Sequence, residues 1–423
     1  MGVENNVPES WVETTLGDQS LEVLNGYAFK SKNFTTNKIN ESYLPVLKIK
    51  NVANGDANHK DVVFHILSKE TEKYVIKKGD VLIALTGNHP FAKTQVVGGI
   101  SKYRLNKTSL LNQRVAKLNA GNPNKLSDSF IYYFFKWSNT QFHIGNQSSG
   151  SASQANISKN DILNIPLNLP PLSEQKAITK VLTAFDDKIE LLQAQNKTLE
   201  TMAQTIFKGW FGKYQIGDEL PEGWRVGRLK DLGNIICGKT PSKADNENFG
   251  GNIPFIKIPD MHNKMFIITT TDSLTKKGVS LQKNKLIPKN SICVSCIATV
   301  GLVSITSKDS QTNQQINSII PFNDSYKEFI YFKVKGLNKY LHDIGSGGTA
   351  TLNVNTTSFS NIEIVIPDAK KLYSFSKITN PIFKKVLDND KQIQSLTKTR
   401  DTLLPKLMSG QVRVKNIKHT ADA

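Results

Sequence analysis

The chain is written twice, and that duplication limits its fold more than any other feature. Pro8-Glu9-Ser10-Trp11, with Leu16 five residues past the tryptophan, returns as Pro221-Glu222-Gly223-Trp224 with Leu229. Leu44-Pro45-Val46-Leu47-Lys48-Ile49 returns as Ile253-Pro254-Phe255-Ile256-Lys257-Ile258, and Asn112-Gln113-Arg114-Val115 as Asn313-Gln314-Gln315-Ile316. Gly150, Asn156-Ile157 and Asn164-Ile165 find counterparts in Gly347, Asn353-Val354 and Asn361-Ile362. A period of about 200 residues is too long for a solenoid and describes a duplicated domain with its connecting helix.

Each copy ends in a heptad-patterned segment. Ile178, Leu182, Phe185, Ile189, Leu192, Asn196, Leu199, Ala203 and Ile206 follow an unbroken alternation of four- and three-residue steps. Ser173 is the expected N-cap after Pro170-Pro171, Glu174 and Gln175 suit the positive end of the helix dipole, and Gly209 marks the stop. An offset of 201 carries the register to Thr379, Phe383, Val386, Asp390, Ile393, Thr397, Arg400, Leu404 and Leu407, closing at Gly410 with Pro405 in the last turn. Helices of about 37 residues would be roughly 55 Å long, and each leaves an apolar stripe wet unless the other covers it. The expected fold is therefore α+β: two β-rich domains in tandem, each followed by a long helix, the helices paired as an antiparallel coiled coil. The boundaries are 1–170 for the first domain, 171–212 for its helix, 213–368 for the second domain, 369–412 for its helix and 413–423 for a tail.

Within the domains, short apolar runs bounded by Gly, Asn, Asp and Pro read as strands: Val46 to Ile49, Val81 to Leu85, Phe255 to Ile258 and Ile292 to Val294. Aromatic-rich helices are expected over Asp128–Thr140 and Ser325–Leu341. A polar stretch follows each (Asn146 to Ala155; Gly345 to Ala350), then a last strand ending at Pro166 or Pro367.

Charge narrows the function. The formal net charge is +18, divided as about +6 for 1–172, about 0 for 173–212, about +5 for 213–370 and about +7 for 371–423. A positive excess spread over both domains favours a polyanion, nucleic acid above all. The start has no basic or apolar leader, the longest nearly uncharged run (Ser291 to Thr306) is short for a membrane span, and three cysteines suit a reducing compartment. A cytoplasmic protein without a membrane segment is expected.

Motifs that resemble chemistry fail on their context. Gly233 to Thr240 fits the phosphate-loop pattern, but Ile235 and Ile236 stand inside the supposed cradle and no helical stripe follows. Cys293 and Cys296 lie in a strand-like run, where residues three apart point to opposite faces, and no second ligand pair completes a metal site. Leu169-Pro170-Pro171-Leu172 lacks the amide and aromatic of a methyltransferase motif. The seven histidines show no ligand or triad spacing. No catalytic residue and no metal site is expected.

The arrangement resembles the specificity subunits of type I restriction–modification enzymes. The most specific part is the helix start from Ile165 to Gln175, with Asn196 to Met202 inside the helix. Lys78 to Ile83 and Gly238 to Ser242 are also similar, and the second helix start, Pro367 to Leu372, departs by lacking Glu-Gln. The resemblance implies two target recognition domains, each reading one half of a split double-stranded DNA site. It further implies that the helices set the separation and dock two modification (methyltransferase) subunits, the second copy being less suited to docking than Ser173-Glu174-Gln175. Restriction/translocase subunits would join these. S-adenosylmethionine, ATP and Mg are then expected on the partner subunits and no cofactor on this chain. The alternative is a free-standing bivalent DNA-binding protein without enzyme partners. On the chemistry of phosphate and base contacts, DNA-facing residues are expected at Lys30, Lys32, Asn33, Asn88, His89, Lys93, Arg104 and Lys107, and at Lys239, Lys243, Asp260, His262, Lys264 and Thr299. Expected at the coiled-coil interface are Ile178, Leu182, Phe185, Ile189, Leu192, Asn196, Leu199, Ile206, Phe383, Val386, Ile393, Leu404 and Leu407. Shared framework with dissimilar loops predicts an asymmetric, bipartite target.

Overall fold

The computed structural model describes residues 7–53, 55–89, 92, 96–151, 154–346 and 352–414. The chain forms two compact units, one of residues 1–187 and 398–423 and the other of residues 188–397. Both boundaries fall inside long helices: the central helix Leu172–Phe211 and the terminal helix Ala369–Met408.

In the first unit, Val12–Thr15 pairs antiparallel with Pro166–Leu169, bringing the start of the domain onto its end. A second sheet orders Leu21–Asn25, Val115–Ala120, Val81–Ala84 and Ile100–Lys102. A third contains Tyr43–Leu47, whose Val46 and Leu47 lie parallel to Leu110 and Leu111. Strand alternation divides the core. Val81 and Ile83 pack into a large cluster with Phe130, Ile178, Leu182, Leu404 and Leu407, while Leu82 turns the other way onto Leu47, Tyr103 and Val115. Each fully buried aliphatic side chain here contributes roughly 1.5–3 kcal/mol.

The second unit repeats the plan. Arg225–Arg228 pairs with Glu363–Ile366. Gly233–Cys237, Ile316–Pro321, Ile292–Ser295 and Val303–Thr306 form four neighbouring strands of one sheet. Phe255 and Ile256 lie parallel to Gln311 and Thr312. The core divides in the same way: Ile292 and Val294 face Phe329, Phe375 and Phe383, and Cys293 faces Ile256, Met261 and Ile316. Cys293 and Cys296 thus belong to different cores, as strand geometry requires. Burial pushes their thiols up to about 12 and about 11, so both are inert as nucleophiles.

The long helices run antiparallel within each unit. Ile178, Leu182, Leu404 and Leu407 are buried in the first unit, and Ile189, Leu192, Phe383 and Val386 in the second. Phe185, Leu199, Ile206 and Ile393 are half-buried. The polar positions meet one another: Asn196 Nδ2 donates to Asp390 Oδ1 at 2.7 Å, and Asn389 Nδ2 to Asn196 Oδ1 at 2.8 Å. Asn196 and Asp390 both stand at seam positions of the heptad pattern; which residues meet is set by the antiparallel packing.

Several local expectations are corrected. The central helix begins at Leu172, with the Pro171 carbonyl accepting from Glu174 N and Gln175 N, so Ser173 lies inside the first turn rather than capping it. It runs past Gly209 to Phe211, because Phe207 and Phe211 still have an aromatic cluster to pack on. The helix expected over 128–140 breaks at Trp137 into Asp128–Lys136 and Ser138–Gln147, and its counterpart at Leu337 into Lys327–Gly336 and Asn338–Gly345. Pro166 opens the last strand of the first domain instead of closing it. Gly347 and Ala350 lie outside the described residues.

Candidate nucleic-acid interface

In the first unit, Asn112–Val115 forms a tight turn in which Val115 N donates to Asn112 O at 2.9 Å. Tyr27 brackets one side: its N donates to Leu111 O at 2.8 Å and its carbonyl accepts from Gln113 N at 3.0 Å. Leu85 brackets the other, its N donating to Arg114 O at 3.0 Å. The chain leaving Tyr27 carries exposed Lys30, Lys32 and Asn33, and the chain leaving Leu85 carries half-buried Asn88 and His89. The turn therefore stands between the two loops from which DNA contacts are expected, and presents exposed Gln113 and Arg114.

The second unit builds the same turn with three of these four bonds, the Lys239 carbonyl accepting from Gln282 Nε2 at 2.7 Å where that of Tyr27 accepts from Gln113 N. Ile316 N donates to Asn313 O at 3.2 Å, Lys239 N to Thr312 O at 2.9 Å, and Cys296 N to Gln315 O at 2.8 Å. Lys239 thus occupies the place of Tyr27, and Thr299 lies just beyond the Cys296 bracket; Lys239, Lys243 and Thr299 are exposed. One glycine per unit makes the bracket possible. A Cβ on Gly26 would sit 2.2 Å from Asn112 O, and one on Gly238 2.2 Å from Asn313 O. This close approach accounts for the glycine of Gly238-Lys239-Thr240. Gly233–Cys237 is a strand paired along Asn317–Pro321, with no cradle of amides for phosphate.

Other expected contacts lie elsewhere. Asp260 is corrected: it is buried, and its carboxylate accepts from Lys257 N at 2.9 Å and from Thr271 N at 2.9 Å. It closes a turn, as buried Asn51 does by accepting from Lys48 N at 3.1 Å in the first unit. Arg104 is also corrected. Its guanidinium lies among Asp56 (3.5 Å), Asp186 (3.7 Å) and Asp187 (3.7 Å), committed to the central helix rather than to a surface loop. Lys107 is exposed, but at the far end of Ser109–Leu111 from the turn. His262 and Lys264 are exposed on the loop before Phe266–Ile267, and Lys264 borders a cleft of about 590 Å³ with Asn196, Lys197, Glu200, Lys335 and Asp390. Lys93 lies outside the described residues. Tyr27, Gln113, Arg114, Gln314 and Gln315 are not among the expected contacts; the repeated Asn-Gln pair is the sequence signal that marks their turn.

At the helix start expected to dock partners, Ser173 is exposed but the two residues after it face the protein's own core. Glu174 is buried, accepting from Trp11 Nε1 at 3.0 Å and pairing with Arg413. Gln175 is fully buried; its Oε1 accepts from Ser127 N at 3.1 Å, and its Nε2 donates to Lys125 O and Pro170 O at 2.9 and 3.0 Å. These residues clasp the domain to its helix. The second copy makes the clasp with other groups: Ser376 Oγ and Asn380 Nδ2 donate to the buried Glu328 carboxylate, each at 3.0 Å.

Two seam carboxyls are shifted in opposite directions. Burial raises Asp390 to about 6 against the Asn196 hydrogen bond, with Glu200 adding to the rise. Burial also opposes ionisation of Asp186, but Lys136 and the hydrogen bonds from Arg400 and Tyr133 hold it below the usual carboxylate value. Among the described residues, no group of three or more His, Cys, Asp or Glu side chains could hold a metal ion, and no helix is long and apolar enough to cross a membrane.

Comparison with known proteins agrees with this architecture. Residues 8–201 and 221–398 match the type I restriction modification DNA specificity domain. The specificity subunit of the type I restriction enzyme HindI of Haemophilus influenzae is 35% identical, over 95% of this chain and 99% of that protein. That of MjaIX from Methanocaldococcus jannaschii is 27% identical, over 68% of this chain and 70% of its own length. The crystal structure of a type I S subunit from M. genitalium superposes with a TM-score of 0.60 at 18% identity, covering 96% of this chain and 98% of that one. The duplicated domain, the paired helices and these matches together place the chain in the type I restriction–modification DNA specificity family.

Proposed function

We propose that this chain selects the DNA target of a type I restriction–modification complex, one unit reading each half of an asymmetric, bipartite site. The observation that carries this is the repeated turn: one scaffold, held in both units by the bonds that close the turn and fix it to its two brackets, that presents Tyr27, Gln113 and Arg114 in one unit and Lys239, Gln314 and Gln315 in the other. A fixed frame with interchangeable side chains suits recognition of two different sequences, and the flanking lysines suit phosphate contacts. Adenine methylation, with S-adenosylmethionine, belongs in this reading to two modification subunits, and ATP- and Mg-dependent translocation and cleavage to restriction subunits. The complex would work in the cytoplasm, where its DNA is.

Docking onto partners is supported by the central helix. Leu191 and Met202 are 61% and 50% exposed, and Met202 lines an open apolar groove with Thr198, Thr201, Thr205 and Ile206. A free-standing DNA-binding protein has no use for that surface. Genome-wide mapping of methylated adenines in a host with and without this chain tests the proposal. A bipartite motif should appear only with the chain, and replacing residues 1–165 by another recognition domain should change one half of it. A motif indifferent to the replacement would end the reading. Inserting one heptad in both helices, near Leu192 and Ile393, should lengthen the unread gap and preserve both halves.

A further inference from the structure

We infer that Arg114 reads a guanine in the half-site of the first unit, and that its counterpart Gln315 makes the second half-site different at the corresponding base; this rests on the DNA-reading function proposed above. Arg114 is the third residue of the Asn112–Val115 turn, and its own carbonyl is fixed by Leu85 N at 3.0 Å. The residue before it is fixed by Tyr27 O at 3.0 Å, and the residue after it donates to Asn112 and accepts from Gly26 N at 3.0 Å. Every backbone neighbour of Arg114 is thus tied to a strand end, while its side chain is exposed. A rigid root beneath a long, forked donor is what directional base readout requires.

The surroundings assign it to a base edge. Lys30 and Lys32 stand on the loop to one side and Asn88 and His89 on the loop to the other, so donors for the phosphates lie on the loops that flank the turn carrying Arg114. In the major groove, an arginine at such a position matches guanine O6 and N7 with two parallel hydrogen bonds, a pairing that no other base offers. At the equivalent place Gln315 is neutral and half-buried, and its Oε1 is occupied by Asn313 Nδ2 at 2.9 Å. The second unit therefore lacks the fork at this position.

The test uses the full chain expressed with its modification subunits, and reads the methylated motif for wild type, Arg114→Gln and Gln315→Arg. The wild-type motif should contain a required guanine in one half-site. Arg114→Gln should lower the preference for guanine at that position by on the order of tenfold to a hundredfold and leave the second half-site intact, which also shows that the chain has folded. Gln315→Arg should add a guanine preference in the other half-site alone. An unchanged motif for Arg114→Gln overturns the assignment, as does a uniform fall in methylation with the motif preserved, which marks a phosphate contact. Should Arg114→Gln give no methylation, Gln315→Arg decides: a guanine gained in the other half-site supports base reading from this turn, and an unchanged motif refutes it. A wild-type chain that directs no motif removes the functional reading itself.

Discussion

Replacing Asp390 by Asn should stabilise the second unit at neutral pH and do nothing at pH 4. Asp390 is largely buried at the helix seam, with its carboxyl raised from 3.8 to about 6. In the unfolded chain it titrates near 4. The folded state therefore holds a proton between pH 4 and 6 that the unfolded state has released. The associated stability is fully present below about pH 4 and is lost as pH rises through 6. Two pKa units correspond to roughly 3 kcal/mol, and partial contact with water reduces this to about 2 kcal/mol. Asparagine keeps the acceptor that Asn196 Nδ2 uses and carries no charge, so the variant avoids that loss. For a unit of residues 188–397, about 2 kcal/mol raises the unfolding temperature by roughly 4–8 °C. Calorimetry of the full chain from pH 4 to 8 measures the difference, and hydrogen exchange over residues 193–200 and 386–393 locates it. The gap should open between pH 4 and 6 and stay constant above. A gap independent of pH, or a variant less stable at pH 7.5, would refute the reasoning.

Gln175→Ala removes a buried amide that satisfies Ser127 N, Lys125 O and Pro170 O, and should cost about 2–4 kcal/mol in chemical unfolding. Because Gln175 is fully buried, binding of modification subunits at equal folded concentration should not change; weakened binding would restore its docking role. Arg400→Met should destabilise the first unit at pH 7 by about 3 kcal/mol, the low end for breaking a buried ion pair, since Lys136 and Arg104 remain near Asp186. An unchanged unfolding midpoint would show that those two suffice. Gly238→Ala should unfold or misregister the second unit, because the new methyl meets Asn313 O at 2.2 Å. Lys239→Ala should leave the unfolding free energy within about 0.5 kcal/mol of wild type, and nucleotide-dependent stabilisation of the wild-type chain alone would contradict the strand at Gly233–Cys237.

The seam was legible because heptad spacing reports helix packing directly. Phe383, Leu404 and Leu407 lie where the pattern puts them, and so does the polar pair Asn196 and Asp390. Residues with two possible duties were not legible. Arg104 and Asp260 have the chemistry of DNA contacts, but Arg104 is surrounded by Asp56, Asp186 and Asp187, and Asp260 closes a turn on Lys257 N. Their partners come from elements that spacing does not relate. Glu174 and Gln175 misled for the same reason: a polar pair at a helix start suits solvent as well as it suits Trp11 and Ser127. Arg114 was hidden among landmarks of the repeat, since only the backbone bonds from Tyr27 and Leu85 show that its turn is a platform.

The two units close at different moments of synthesis. Residues 188–397 make one uninterrupted stretch, so the second unit has its whole core once the chain reaches Thr397. The first unit begins earlier and finishes later: Leu404, Leu407 and Met408 belong to its core, and Arg413 to the clasp on Glu174. A ribosome that stops after residue 397 would release a complete second unit and a first unit with an uncovered apolar face, a substrate for proteases and chaperones. Order of completion thus runs against order in the chain: the first unit to begin is the last to have its core covered.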